Sequence, residues 1–217
     1  MAVLPLAEGR DRRDDPAMLT IEVILFDGFD ELDALGPYEV LRTAQENGAD
    51  IHAELVGAHG AATITASHGA RFIVDRGPSG ASDMVVVPGG GWNTRDGAGA
   101  WGEAQRGDLP ERLAEIHRGG TTVASVCTGA MLLAAAGITN GRPATTHHVA
   151  IDDLRASGAV IVDARVVDDG DIITAGGVTS GLDLALLIVE RQAGREIADR
   201  VAREIEYEHR FDPAEAR

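Results

Sequence analysis

Short β-branched runs that alternate with longer stretches of helical periodicity, from Leu19 onward, constrain this chain more than any other feature. A strand followed by a helix before the next strand runs parallel to its neighbour, so the alternation specifies a mostly parallel sheet covered by helices. Strand runs fall at residues 21–26, 51–56, 84–87 and 121–126. Residues 33–47 carry Leu35, Val40, Leu41 and Ala44 at helical spacing, and residues 103–117 place Leu109, Leu113 and Ile116 on one side. Pro110 sets the firm start of that second helix near itself. Residues 129–136 are so rich in Ala and Leu that the helix is expected to be buried on most sides. Two strand runs within 160–174, broken by Asp168-Asp169-Gly170-Asp171, read as a hairpin added to the parallel sheet. Thr179 caps a helix through Val189, and residues 195–207 form a last, strongly charged helix.

The sequence has 217 residues, no internal repeat and no linker, so one domain over residues 19–210 is expected. Residues 1–18 mix arginines with aspartates and lack the apolar stretch of a signal peptide, which reads as a disordered leader. Met18 directly precedes the first strand and offers an alternative translation start. No segment approaches the length and apolarity of a membrane span, and a cytoplasmic location is expected.

Asp and Glu number 35 against 19 Lys and Arg, a net charge of −16, with no basic block. Binding to nucleic acid or to an anionic membrane is therefore not expected, and the partner expected is a small molecule. Every cation is an arginine, because the sequence contains no lysine. That removes Schiff-base chemistry and a Walker-type phosphate site. The single cysteine, Cys127, leaves no intramolecular disulfide and no multi-thiolate metal cage. Neither a metal nor a cofactor is expected.

Residues 121–137, TTVASVCTGAMLLAAAG, carry the sharpest functional signal. A β-branched strand runs into Cys127 and a helix leaves at once, which is the pattern of a nucleophile elbow. Gly129 and Ala130 allow the tight turn. A sulfur at a helix N-terminus is expected to be accessible and to have a depressed pKa, with the Thr128 amide directed at developing negative charge. The loop VVVPGGGWN follows another buried strand, and in a parallel sheet it ends at the same edge. The amides of Gly90 and Gly91 are then expected to join that of Thr128 in an anion hole. Asp33, flanked by Leu32, Ala34 and Leu35, is a candidate acid/base group with a raised pKa; the alternative role is a helix N-cap. In ATTHHV, adjacent His147 and His148 lack the spacing of a zinc site. His147 is expected to orient or polarise the cysteine, and His148 to form part of a pocket wall.

Taken together, LDALGPYEVL, VVVPGGG, SVCTGAMLLAAAG, GRPATTHH and TAGGVTSGLDLAL resemble the DJ-1/PfpI superfamily, of the class I glutamine amidotransferase-like type, and within it the isonitrile hydratase branch. The resemblance runs from Leu19 to about Tyr207. It implies a flavodoxin-like three-layer α/β sandwich, a homodimer, and a cysteine on the elbow. It also implies cofactor-independent hydration of isonitriles to N-substituted formamides, with Cys127 as nucleophile, Asp33 as acid/base and Thr128 beside them. Relatives with peptidase activity tend to carry histidine directly after the cysteine, where this chain has Thr128. Two alternatives stay open: a glyoxalase-type lyase acting on small dicarbonyls, and a non-enzymatic ligand or redox sensor. Similar motifs occur in regulators that add a DNA-binding domain, which the acidity of this chain and its end at Arg217 argue against.

Overall fold

The computed structural model describes residues 18–95, 97–208 and 214–215. The expected leader therefore lies outside the described residues except for Met18. In chain order the elements are β1 (Leu19–Leu25), α1 (Glu31–Glu46), β2 (Ile51–Gly57), β3 (Ala62–Thr65), β4 (Arg71–Val74), β5 (Met84–Val87), α2 (Gly99–Arg106), α3 (Asp108–Arg118) and β6 (Thr122–Val126). There follow α4 (Gly129–Ala135), β7 (Pro143–Ala144), a 3-10 turn (His148–Ala150), α5 (Ile151–Ala156), β8 (Val160–Ile161), β9 (Val166–Asp168), β10 (Ile172–Ala175), α6 (Ser180–Ala193), α7 (Arg195–Glu204) and β11 (Ala214–Glu215).

The main sheet has the order β11-β9-β10-β6-β5-β1-β2 and is parallel except for the β9–β10 hairpin. The turn at residues 168–171 closes that hairpin as the polar cluster implies. Helices α1, α6 and α7 pack together over one face, and α2, α3 and α4 over the other. The central strands are buried on both faces, which is why Val85, Val86 and Val87 run without a polar partner in the pattern. This is the mostly parallel, helix-covered sheet that the alternation of elements implies, and the flavodoxin-like three-layer α/β sandwich that the resemblance implies. From β1 the chain crosses one way to β2 and the other way to β5 and β6. The loops that leave β1, β5 and β6 therefore emerge at one sheet edge, beside the point where the strand order reverses.

Three local features differ from the periodicity. The helix expected at 103–117 is two helices, because Gly107 takes a left-handed φ of 87° between α2 and α3. Pro110 then sits in the first turn of α3, where its missing N–H costs nothing. The run at 160–161 pairs with β7 in a separate two-stranded sheet and does not join the main one. The β3–β4 hairpin and α5 are four to six residues long, too short for a periodicity to declare itself.

The β5 and β6 ends are pressed together at Gly129, where an added Cβ would lie 2.1 Å from the Val87 carbonyl oxygen and 2.9 Å from that of Pro88. Both contacts are main chain, so neither can swing aside. Gly129→Ala is expected to cost at least ~2 kcal/mol, within the range for overpacking, and to lower the thermal unfolding midpoint. Gly97→Ala, which meets nothing within 4 Å, is the matched control and should be near neutral in the same melts.

Candidate active site

Strand β6 delivers Cys127 into a left-handed backbone conformation, φ 57°, that a non-glycine residue adopts only when its surroundings impose it. The constraint is visible on both sides of the residue. Its amide donates to the carbonyls of Ala175 (3.1 Å) and Gly176 (2.8 Å), and its own carbonyl accepts from Thr146 Oγ1 at 2.8 Å. The strand-to-helix elbow expected from the sequence is thus present, with α4 leaving from Gly129.

Asp33 lies in the first turn of α1 and is fully buried. The N-cap of that helix is Asp30, whose side chain accepts from the Leu32 amide at 3.1 Å, so the capping role is not the one Asp33 fills. Asp33 Oδ2 instead accepts from the Gly89 amide at 3.0 Å, across the edge from β1 to β5. Its other oxygen has no nitrogen or oxygen partner, and the carboxyl interacts with the Cys127 thiol. Burial, reinforced by the charge of Asp30, pushes the carboxyl up to about 7; the Gly89 amide and the cysteine oppose that rise.

The expectation for the sulfur is corrected. Cys127 is 7% exposed, and burial followed by the charge of Asp33 pushes its thiol up to about 12. The backbone amides of Thr128 and Val178 pull the other way. A helix of seven residues supplies only the weak field of its first turn, which does not offset the loss of water and a neighbouring carboxylate. Two groups this close titrate as a pair. The pair loses its first proton near 7 and its second near 12, and between those limits it holds one proton.

Thr128 is buried beside them, and its hydroxyl accepts from the Gly90 amide at 3.0 Å. Gly90 is therefore not a free donor for an anion, which corrects the expectation for its N–H. What Gly90 does is let chains pass: a Cβ there would sit 2.6 Å from both the Asp30 nitrogen and the Gly28 oxygen, at φ 121°. Gly91 lines a cavity of ≈630 Å³ with Thr65, Ser67 and Thr94, a lining that does not include Cys127.

His147 Nδ1 accepts from the Val149 amide at 3.3 Å, which leaves that nitrogen unprotonated. Burial and the adjacent His148 lower its pKa, and a neutral ring follows. That ring covers Gly177, where an added Cβ would come within 2.4 Å of it. His147 thus buttresses the segment that bonds the Cys127 backbone, while no hydrogen bond among the described residues joins it to the sulfur. His148 lies 4.1 Å from it, ring to ring, and lines a cavity of ≈400 Å³ with Thr145, Arg165 and Ser180. Gly89, Thr146 and Val178 were not singled out by the sequence, because their contributions are a backbone amide or a bond to a backbone carbonyl. Among the described residues no group of three His, Cys, Asp or Glu side chains is arranged to hold a metal ion. No helix among them is long and apolar enough to cross a membrane.

The model of the DJ-1/PfpI family matches residues 20–191. The isonitrile hydratase of Pseudomonas putida is 34% identical over 194 residues, covering 87% of this chain and 78% of that protein. Protein dj-1beta of Drosophila melanogaster is 30% identical over 186 residues, 83% of this chain and 93% of that one. Among solved structures, a THiJ/PfpI family protein from Pseudomonas syringae aligns with a TM-score of 0.76 at 26% identity, over 98% of this chain and 84% of that chain.

The raised Asp33 pKa carries a sign for stability. In the folded state the carboxyl keeps its proton up to about 7, whereas unfolded it loses it near 3.8. The native state binds the extra proton in that window, so stability falls as pH rises from about 4 to about 7 and then levels off. The slope is at most ~1.4 kcal/mol per pH unit. Asp33→Asn has no proton to lose, so its unfolding midpoint should gain on the parent protein between pH 5 and pH 8. Parallel pH profiles for the two proteins would contradict a buried carboxyl of raised pKa.

Proposed function

The chain belongs to the DJ-1/PfpI family, and from that membership we propose that it is a cofactor-independent lyase that hydrates isonitriles to N-substituted formamides. The observation that carries this proposal is the pairing of a buried carboxyl with a cysteine on a strained elbow, one proton being shared between them near neutral pH. The similarity to isonitrile hydratase over most of both chains supports the same chemistry.

In this mechanism the singly protonated pair is the active form. The isonitrile carbon carries a lone pair, and Asp33 relays the thiol proton to it while the Cys127 sulfur bonds to the same carbon. R–NC and Cys–SH thereby become the thioimidate R–N=CH–S–Cys, with no atom left over. In the second half Asp33 takes a proton from water as the oxygen attacks that carbon. The substrate nitrogen is then protonated, the C–S bond breaks, and R–NH–CHO leaves with the thiol restored. Both halves need a carboxyl able to accept and donate protons near pH 7, which an exposed aspartate with a pKa near 4 does poorly.

We further propose that the protein works as a homodimer. Leu32, Ile73, Val149 and Val160 present exposed apolar side chains, and closed two-fold dimers are the commonest assembly of soluble chains. Light scattering should return twice the 22.7 kDa of one chain; a mass near 22.7 kDa at micromolar concentration contradicts it.

Purified protein is expected to convert a panel of small isonitriles to formamides, followed by loss of the isonitrile infrared band. In this assay kcat/KM should rise with pH to a plateau through a midpoint near 7, as the pair loses its first proton. Cys127→Ala should abolish turnover, and Asp33→Asn should lower it by ~100-fold to 10,000-fold while circular dichroism stays native. Turnover of methylglyoxal with none of any isonitrile would transfer the site to dicarbonyl chemistry, and no turnover of either would leave the hydratase proposal without support.

A further inference from the structure

The β3–β4 hairpin leaves one edge of β3 without a strand beside it, and the ladder fixes which backbone groups face that edge. Along an antiparallel pair, residues alternate between those that exchange bonds with the partner strand and those whose N–H and C=O point away from it. Ala66 belongs to the first set, because its amide donates to the Ala70 carbonyl at 2.9 Å, one step beyond the Thr65–Arg71 pair. Thr65 belongs to the second. Its amide donates to Asp27 Oδ1 at 2.8 Å and its carbonyl accepts from the Gly28 amide at 2.8 Å, both away from β4. Ile64, opposite Phe72, therefore bonds to β4, and Thr63 turns its N–H and C=O out along the same edge as Thr65. Among the described residues neither of these Thr63 groups has a partner on that side.

That edge borders a cavity of ≈550 Å³, a volume typical of small-molecule sites, at the carboxyl ends of β1 and β2. Leu25, Phe26, Ala58 and Ile64 give it an apolar lining, while Cys127, Asp33 and Thr128 do not line it. Glu103, 1% exposed, also lines it, with His59 Nε2 at 3.0 Å from one carboxylate oxygen and Arg106 on the other, so its charge is already answered. Two further carboxylates line the cavity, those of Asp27 and Asp108. Among the described residues neither has a cationic partner, and Asp27 uses only one oxygen, for the Thr65 amide. The site therefore carries surplus negative charge.

We propose that this cavity binds a short peptide with a free α-ammonium group and an apolar first side chain, added antiparallel to the open edge of β3. The second residue of the peptide exchanges both bonds of one pair with Thr63: its N–H donates to the Thr63 carbonyl and its carbonyl accepts from the Thr63 amide. The first residue then lies opposite Ile64. Directly opposed side chains share a face of a sheet, so the first side chain rests with Ile64 against the apolar lining. Its ammonium group points along the edge toward Thr65, where Asp27 occupies the next backbone amide and ends the run. Hydrogen-bonding pattern, apolar lining and charge thus select the same molecule. Binding makes and breaks no covalent bond and does not depend on the chemistry at Cys127.

The probe is L-leucyl-L-alaninamide, titrated into the full chain labelled with ¹⁵N-threonine. The Thr63 amide resonance should move saturably, with a dissociation constant of about 1 mM or tighter. The depsipeptide analogue, in which an ester oxygen replaces the inner N–H, should bind ~5- to 10-fold more weakly, the worth of one hydrogen bond. Asp27→Asn keeps an acceptor for the Thr65 amide and removes the charge, so it should weaken leucyl-alaninamide by up to ~5-fold and leave N-acetyl-leucyl-alaninamide unchanged. Cys127→Ala should bind the probe as the parent protein does, which keeps this result separate from whether the protein hydrates isonitriles. A Thr63 amide that does not move saturably at about ten times the expected dissociation constant overturns the proposal. An ester analogue that binds as tightly as the amide overturns it equally.

Discussion

Two acidic groups, the Cys127 thiol and the Asp33 carboxyl, lie together out of water, and each makes a second negative charge on the pair costly. Around this shared proton the rest of the site is organised. The carboxyl needs the Gly89 amide to stay buried without being orphaned, and the sulfur needs donors that do not bring water with them. Main-chain amides meet both needs, because they are dipoles without charge and are fixed in place by the loops that carry them.

Those loops come from three strands. The β1 loop brings Asp30 and the first turn of α1 with Asp33, the β5 loop brings Gly89 and Gly90, and β6 leads directly into Cys127. They meet because parallel neighbours end at one edge, and they meet closely because glycine removes the side chains that would hold them apart. A Cβ on Gly89 would fall 2.5 Å from the Thr128 nitrogen, and one on Gly90 2.6 Å from that of Asp30. The same closeness explains the burial of the sulfur. A thiol near a helix start is acidified in an open site, but here water is excluded and the nearest charge is negative, and those two effects outweigh a single short helix.

Much of this was written in plain sequence. The strand–Cys–Thr–Gly–Ala run locates the elbow because only a sharp turn connects a β-branched strand to a helix within two residues, and the φ of 57° at Cys127 is that turn. The apolar flanks of Asp33 announce a carboxyl in poor surroundings, and its rise to about 7 follows from that burial. Side-chain pattern is silent, however, about which way a backbone N–H points. Gly90 is expected from the sequence to be an anion donor and is a spacer, its amide held by the Thr128 hydroxyl.

The division has a physical cause. Order of elements, the parallel sheet, the two-sided burial of its strands and the position of the elbow cysteine follow from local periodicity and turn chemistry, which any short window of the chain contains. The direction of the Cys127 pKa shift and the capture of the Gly90 amide by Thr128 depend on groups many residues apart in the chain. Only their packing in three dimensions sets the distances on which electrostatics and hydrogen bonding depend.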